Sequence, residues 1–297
     1  MTASPAARLR AHLAGREALV VPGVWDAMSA RLAEQAGFGA SFMSGYAVSA
    51  TRIGEPDAGL ISYGEMISAG RDLCAATALP VIGDADTGFG NPMNVRRTVA
   101  GYHAAGFAAV MVEDQVFPKR CGYAQGVEVV ARDVALTRLR AALDERDAIR
   151  ARGGDVLVIG RTDSRAAADL DEALWRCAAF AGLGADIVYF EGPTDVSEME
   201  ALHRVVTGVP TMLAQVEKPG RPWLNAAQAG AIGYGILLCG VSLLNATMRA
   251  QSEALAALRG GGRIPPELLL PFDALYAGVG FERYYAAEAR YATPSAE

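Results

Sequence analysis

The chain has 297 residues, 52% of them hydrophobic and 20% charged, and a net charge of −6. That balance belongs to a soluble globular protein with a sizeable core, and the negative sign argues against nucleic acid or an anionic membrane as the main partner. Four widely separated cysteines, Cys74, Cys121, Cys177 and Cys239, contain no CxxC pair and exclude a zinc motif or a compact disulfide framework.

The first 20 residues are Ala- and Arg-rich and lack the apolar core of a secretory signal, so a cytoplasmic location is expected. Residues 5–16 read as a helix leading into a strand and turn, Leu19–Gly23. The apolar residues of Asp26–Phe38 recur at helical spacing and Gly37 ends the run. A second strand, Ala40–Gly45, is followed by a polar loop holding Asp57 and a helix from about Tyr63 to Ala78. Pro80–Asp86 is the third strand. A helix from about Pro92 to Ala105 leads to the fourth, Ala108–Asp114. Asp155–Asp163, Ala185–Gly192, Pro210–Val216 and Tyr234–Gly240 are the remaining four. The uncharged stretch Leu224–Met248 is long enough to be mistaken for a membrane span. It holds Asn225, Gln228, Ser242, Asn245 and four glycines, and reads instead as a buried strand followed by a helix. Val241–Leu258 is a long helix, the GGGR and IPPE segments break the chain, and Phe272–Ala292 is an aromatic-rich helical pair suited to an oligomer contact.

Eight continuous apolar runs alternating with helical segments suit strands buried on both faces of a parallel sheet. The count predicts a (β/α)8 TIM barrel, one domain over 1–297 with 259–297 as a C-terminal helical extension. A doubly wound open sheet is the alternative, but no strand is followed by a Gly-rich dinucleotide fingerprint. The C-terminal strand ends carry Ser44 and Gly45, Asp84 and Asp86, Glu113 and Asp114, Arg161 and Asp163, Glu191, and Gln215. The N-terminal ends carry Ala, Gly and Pro. Active sites of such barrels lie at the C-terminal ends, so this asymmetry marks an enzyme.

Asp84 and Asp86 alternate along an extended chain, which turns both carboxylates toward one cavity. With Glu113 from the next strand they form an all-oxygen site suited to Mg²⁺ or Mn²⁺; capping of helices or pairing with Arg96, Arg97 or Arg161 is the plainer reading. Without a cation, mutual repulsion should raise one carboxylate pKa. Arg161 can hold a carboxylate or phosphonate in two-point fashion, or form a salt bridge to Glu191 or Asp163. Gly122 and Gly126 bracket a loop that could hinge over the rim. Lys119 and Arg120 beside Cys121 are expected to lower its thiol pKa. His103 and His203 fall on outer helices, so a Cys/His nucleophile pair is not expected, and Cys121 is better placed as a proton donor or acceptor.

On these residues the chain resembles the isocitrate lyase/phosphoenolpyruvate mutase superfamily, in particular its 2-methylisocitrate lyase-like branch. The matching runs are PGVWDAMSARLAEQAGF, Ser44-Gly45, DADTGFGN, VEDQVFPKRCG, GRTD and FERYYAAEARY. The resemblance implies a barrel with a helix swapped between subunits, in a homo-oligomer that is a dimer or tetramer, acting on a small anionic carboxylate. It implies a C–C lyase in which Mg²⁺ binds Asp84 or Asp86 directly and Asp57 and Glu113 through water. Substrate contacts are implied at Ser44, Gly45, Tyr46, Gly122, Arg161, Glu191 and Gln215. Catalytic roles are implied for Cys121 as proton donor, for Lys119 on a substrate carboxylate after the loop closes, and for Arg161 and Glu113. The expected reaction cleaves a 2-hydroxy di- or tricarboxylate, a substituted malate or methylisocitrate-like acid, to a 2-oxo acid and a carboxylic acid. A carboxyphosphonoenolpyruvate mutase-like phosphonomutase or an oxaloacetate hydrolase or decarboxylase is the alternative, and a barrel that only binds its ligand is a third.

The chain departs from the family pattern at three places. Tyr123 replaces the His of KRCGH, Gln215 follows Ala214 where Asn is usual, and Asn245 stands where methylisocitrate lyases have an Arg. Loss of that Arg removes an anchor for a third carboxylate and points to a smaller substituted malate or an oxaloacetate-like acid. Pro222 matches a proline common in the lyases.

Overall fold

The computed structural model describes residues 3–291. Eight parallel strands close on themselves in sequence order: β1 (Leu19–Val24), β2 (Ser41–Met43), β3 (Val81–Asp84), β4 (Ala109–Glu113), β5 (Leu157–Thr162), β6 (Ile187–Phe190), β7 (Thr211–Ala214) and β8 (Ile236–Cys239). All eight expected strands are present, each within a few residues of its apolar run. β2 ends early because Ser44 caps a short helix, Gly45–Val48, which a π-helical turn, Ser49–Ile53, extends. The expected strand and following helix within Leu224–Met248 are present as β8 and helix Ser242–Arg259, and a short helix that was not expected, Ala226–Ile232, capped by Asn225 through Gln228, precedes β8. No helix among the described residues is long and apolar enough to cross a membrane.

The continuous apolar runs are explained by two packed layers. Alternate strand residues, among them Val21, Phe42, Ile82, Met111, Ile159 and Met212, fill the barrel interior, and helix Pro5–Leu13 adds Ala6 and Leu9 to that cluster. The other strand faces, such as Val110, Val158 and Val188, pack against the outer helices. A strand lined on both sides by apolar neighbours has no use for polar alternation. The barrel seam requires glycine: a Cβ on Gly23 in β1 would lie 2.1 Å from the Gly240 carbonyl oxygen beyond β8.

Side-chain caps fix where the helices begin, and hence the lengths of the rim loops. Asp26 and Ser29 form a capping box, as do Ser62 with Glu65 and Asn91 with Asn94. Helices Tyr63–Ala76 and Pro92–Ala105 therefore start where the sequence places them. The chain divides into two compact units, one up to Leu244 and the other from Asn245 onward. In the second unit, helices Phe272–Val279 and Phe281–Glu288 are joined by a stack of Tyr276 on Phe281, ring centroids 3.9 Å apart, and by a 2.8 Å contact between the Tyr276 and Tyr285 hydroxyls. None of its described residues is buried. Ala292, the expected end of the helical pair, and the last residues of the expected extension lie outside the described residues.

Candidate active site

The rim at the C-terminal ends of β2 to β6 gathers a cluster of buried charged residues. β3 ends at Asp84, and Asp86 takes a left-handed conformation with φ of 46°. The two carboxylates therefore meet by a turn, rather than by the pleat of an extended strand. They meet at Gly45: its N–H donates to Asp84 Oδ2 at 3.2 Å, and a Cβ there would lie 2.7 Å from Asp84 Oδ2 and 3.5 Å from Asp86 Oδ1. A non-glycine residue at positive φ is strained. Here the turn is held by the Glu113 N–H on the Asp86 carbonyl, 2.9 Å, and the Asp86 N–H on Asp84 Oδ1, 3.2 Å. β4 and β5 pair in a register that sets Glu113 beside Arg161.

Lys119 is buried under this turn, its Nζ 2.5 Å from Asp57 Oδ1 and 2.8 Å from Asp86 Oδ1. Burial opposes its charge, but Asp86, Glu113, Asp57 and Asp84 together hold the ammonium well above its ordinary pKa. Burial pushes Asp86 up to about 6, against the pull of Lys119. The expected carboxylate repulsion is present as a smaller contribution from Asp84 and Asp57. Glu113 is raised well above the usual range for the same reason, against Arg161 and Lys119.

The loop from Val116 to Gly126 lies down on the rim. The Cys121 N–H donates to the Asp57 carbonyl at 3.1 Å. Gly122 presses on the acid–base cluster so closely that a Cβ would meet Asp163 Oδ1 at 2.7 Å and Arg161 Nη2 at 3.0 Å. The expectation of a lowered Cys121 pKa is overturned. Burial raises the thiol; Lys119 is committed to the acids, and Arg120 turns to the Gln125 carbonyl at 3.0 Å. Gln115 was missed from the sequence. Its amide brackets the loop, donating to the Arg120 carbonyl at 2.8 Å and accepting the Arg120 N–H at 2.9 Å. The only available signal was its place between the acid pair and the loop.

Arg161 is gripped by Asp163 through two hydrogen bonds of 2.9 and 2.8 Å and lies 3.2 Å from Glu191 and 3.4 Å from Glu113. Burial works against its charge, but Asp163, Glu113 and Glu191 hold it well above its ordinary value. Burial raises Glu191, whose Oε2 takes a short hydrogen bond from the Tyr189 hydroxyl. Asp114, adjacent to Glu113, belongs to the support beneath: it accepts from the Asp163 N–H at 3.0 Å, the Thr162 hydroxyl at 2.6 Å and Arg176 at 3.0 Å.

Other expected site residues are differently engaged. Ser44 uses its hydroxyl as a helix cap for the Ala47 N–H, 3.3 Å, and Tyr46 beside it is partly exposed. The Gln215 amide is tied to the backbone of Leu224 at both ends, 2.6 and 2.9 Å. Asn245 is exposed on helix Ser242–Arg259. His103 and His203 lie on outer helices, as expected.

Six rim carboxyls, Asp57, Asp84, Asp86, Glu113, Asp163 and Glu191, face two rim cations, Lys119 and Arg161. The buried Glu113 Oε1 and Glu191 Oε1 lack hydrogen-bond partners, and the buried Asp57 Oδ1 and Asp86 Oδ1 are met by Lys119. Among the described residues no three side chains converge as a ready ligand cage. An excess of anionic oxygen without a closed cage fits a hard divalent cation that keeps much of its water.

A closed parallel barrel with buried acids, a paired arginine and a thiol-bearing lid on its C-terminal rim defines an enzyme of the (β/α)8 class built to handle small anions. Residues 9–259 match the family model described as phosphoenolpyruvate phosphomutase. The chain is 35% identical over 290 residues to 2,3-dimethylmalate lyase of Eubacterium barkeri, covering 97% of this chain and 98% of that protein. It superposes on oxaloacetate acetylhydrolase bound to 3,3-difluorooxalacetate with a TM-score of 0.91, at 31% identity and 98% coverage of both chains. It superposes on phosphonopyruvate hydrolase in complex with oxalate and Mg²⁺ with a TM-score of 0.84, at 30% identity and coverage of 97% and 99%. The chain belongs to the phosphoenolpyruvate mutase/isocitrate lyase superfamily.

Proposed function

We propose that the protein is a Mg²⁺-dependent carbon–carbon lyase that cleaves a substituted malate to a 2-oxo acid and a carboxylic acid. The observation that carries this reading is Cys121: a neutral, burial-raised thiol on a lid closed over a platform of buried acids. A thiol kept protonated is a poor nucleophile and a ready proton donor.

Asp84 and Asp86, with Asp57 and Glu113 beside them, would hold Mg²⁺ or Mn²⁺. When bound, that ion polarises the 2-oxygen of the substrate and stabilises the negative charge that cleavage develops. Arg161 clamps the carboxylate next to the hydroxyl-bearing carbon, its guanidinium pre-oriented by Asp163. Glu113, whose Oε1 has no hydrogen-bond partner, accepts the hydroxyl proton. The bond between the hydroxyl-bearing carbon and its neighbour breaks, and Cys121 delivers a proton to the departing carbon. The Gly45 N–H and Gly122 sit where the backbone can approach an anionic ligand closely. Lys119 holds the lid to the acids and offsets their charge.

The chain acts as one barrel domain with residues 259–297 as an arm, in a cytoplasmic homo-oligomer whose subunits exchange that arm. The exposed apolar side chains of the arm, among them Leu270, Phe272 and Tyr284, support this. A second reading, hydrolysis of an oxaloacetate-like acid, is favoured by the superposition on oxaloacetate acetylhydrolase, which at a TM-score of 0.91 is as close as that on the structure of 2,3-dimethylmalate lyase. Turnover of 2,3-dimethylmalate, methylisocitrate, oxaloacetate and phosphonopyruvate separates the two. A 2-oxo acid from a substituted malate, stopped by EDTA and restored by Mg²⁺, is expected; turnover indifferent to EDTA overturns the metal assignment.

A further inference from the structure

Tyr123 is a half-buried aromatic residue of the lid for which the proposed chemistry has no use. It follows Gly122, whose backbone rests on Arg161 and Glu191, and its phenol is close enough to Glu191 to be pushed up by that carboxylate after burial. On its other side the ring faces the Arg221 guanidinium, 5.7 Å from the ring centroid. The ring therefore stands between the acid–base cluster and the loops that follow β6 and β7.

Those loops form a wall that is fixed from two sides. Arg221 donates to the Gly192 and Pro193 carbonyls at 2.9 and 2.6 Å, binding the β7 loop to the β6 loop. The Gln215 amide closes the β7 loop on Leu224 at 2.6 and 2.9 Å. Between the Tyr123 ring and this wall, lined also by Pro193, Met199 and Leu213, the remaining cavity is about 10 Å³, room for about one water. A wall tied by hydrogen bonds to backbone cannot retreat without leaving buried polar groups unpaired.

We propose that Tyr123 is a specificity-determining residue: the closing lid drives its ring against the Arg221–Gln215 wall and caps the size of the substituents on the departing acid. Methyl branches are accepted, and a third carboxylate arm is rejected. This deepens the lyase reading and rests on it for the identity of the departing acid. The size filter itself is a property of binding. Arg221 Nη1 is held by two carbonyls, and the guanidinium lies over the Tyr123 ring.

Two measurements on wild type, Tyr123→Ala and Tyr123→Phe test this. The first is the ratio of kcat/KM for a malate bearing a 3-carboxymethyl arm to that for a 3-methyl malate. The second is the ratio of affinities for propane-1,2,3-tricarboxylate and succinate, by calorimetry with Mg²⁺. Tyr123→Ala should raise both large-to-small ratios by about tenfold or more, and Tyr123→Phe should keep the wild-type ratios. Ratios unchanged within about twofold in Tyr123→Ala overturn the proposal, as does failure of every form to bind either acid. If no malate is cleaved by wild type but the affinity ratio shifts in Tyr123→Ala, the lyase reading falls and the size filter stands.

Discussion

At the scale of single residues, the rim turns on which cation meets which acid. Cys121→Ser tests the proton-donor role. A hydroxyl is a far weaker acid than a thiol, so C–C cleavage should fall by about 10²-fold or more, while oxalate affinity measured by calorimetry stays within a few-fold. An unchanged rate would remove Cys121 from the chemistry. Much at this scale was legible in the sequence: Asp84, Glu113 and Arg161 come together because each lies at the end of a strand of one barrel, and Asp86 joins them by the turn after β3. The partners of Lys119 and Arg120 were not legible. Those of Lys119 depend on the loop holding Asp57, which is far from it in sequence, folding under the lid, and Arg120 is turned away by Gln115 and by Gln125 of its own loop. The same limit explains Cys121: adjacency to two basic residues suggested a lowered pKa, and burial with the basic groups turned elsewhere reversed it.

At the scale of elements, apolar continuity and capping residues placed the strands and most helices, because local rules decide both. What escaped them were short pieces fixed by contacts: the helix at Gly45, the π-helical turn, and the helix before β8. Packing of an outer helix on the barrel can be tested through His203. It joins helix Val196–Val205 to β7, its Nδ1 donating to the Met199 carbonyl at 2.9 Å and its Nε2 accepting from the Thr211 hydroxyl at 2.8 Å. Burial depresses its pKa. The unfolded chain therefore takes up the proton first as pH falls below about 6.5, so stability is lost on acidification from that point down to the folded pKa. Tm should fall more steeply between pH 7 and 5 for wild type than for His203→Gln. Equal slopes would mean that His203 titrates alike in both states.

At the scale of the whole molecule, the unit from Asn245 onward is the part that least resembles a finished surface. Leu269, Leu270, Phe272, Leu275, Tyr284 and Tyr285 are all exposed. Contiguous apolar exposure of this kind marks an interaction surface. Light scattering on the full chain should give a dimer or tetramer; a monomer at micromolar concentration would contradict the exchanged arm. The central claim is that the closed lid delivers a proton to carbon as a C–C bond breaks. Turnover of a substituted malate in D₂O with Mg²⁺ tests it most directly, read by mass spectrometry of both products. The account predicts equimolar 2-oxo acid and carboxylic acid, with one deuterium on the carbon of the carboxylic acid that had been bonded to C2. Release of oxalate from an oxaloacetate-like acid alone, or products lacking that deuterium, would contradict it.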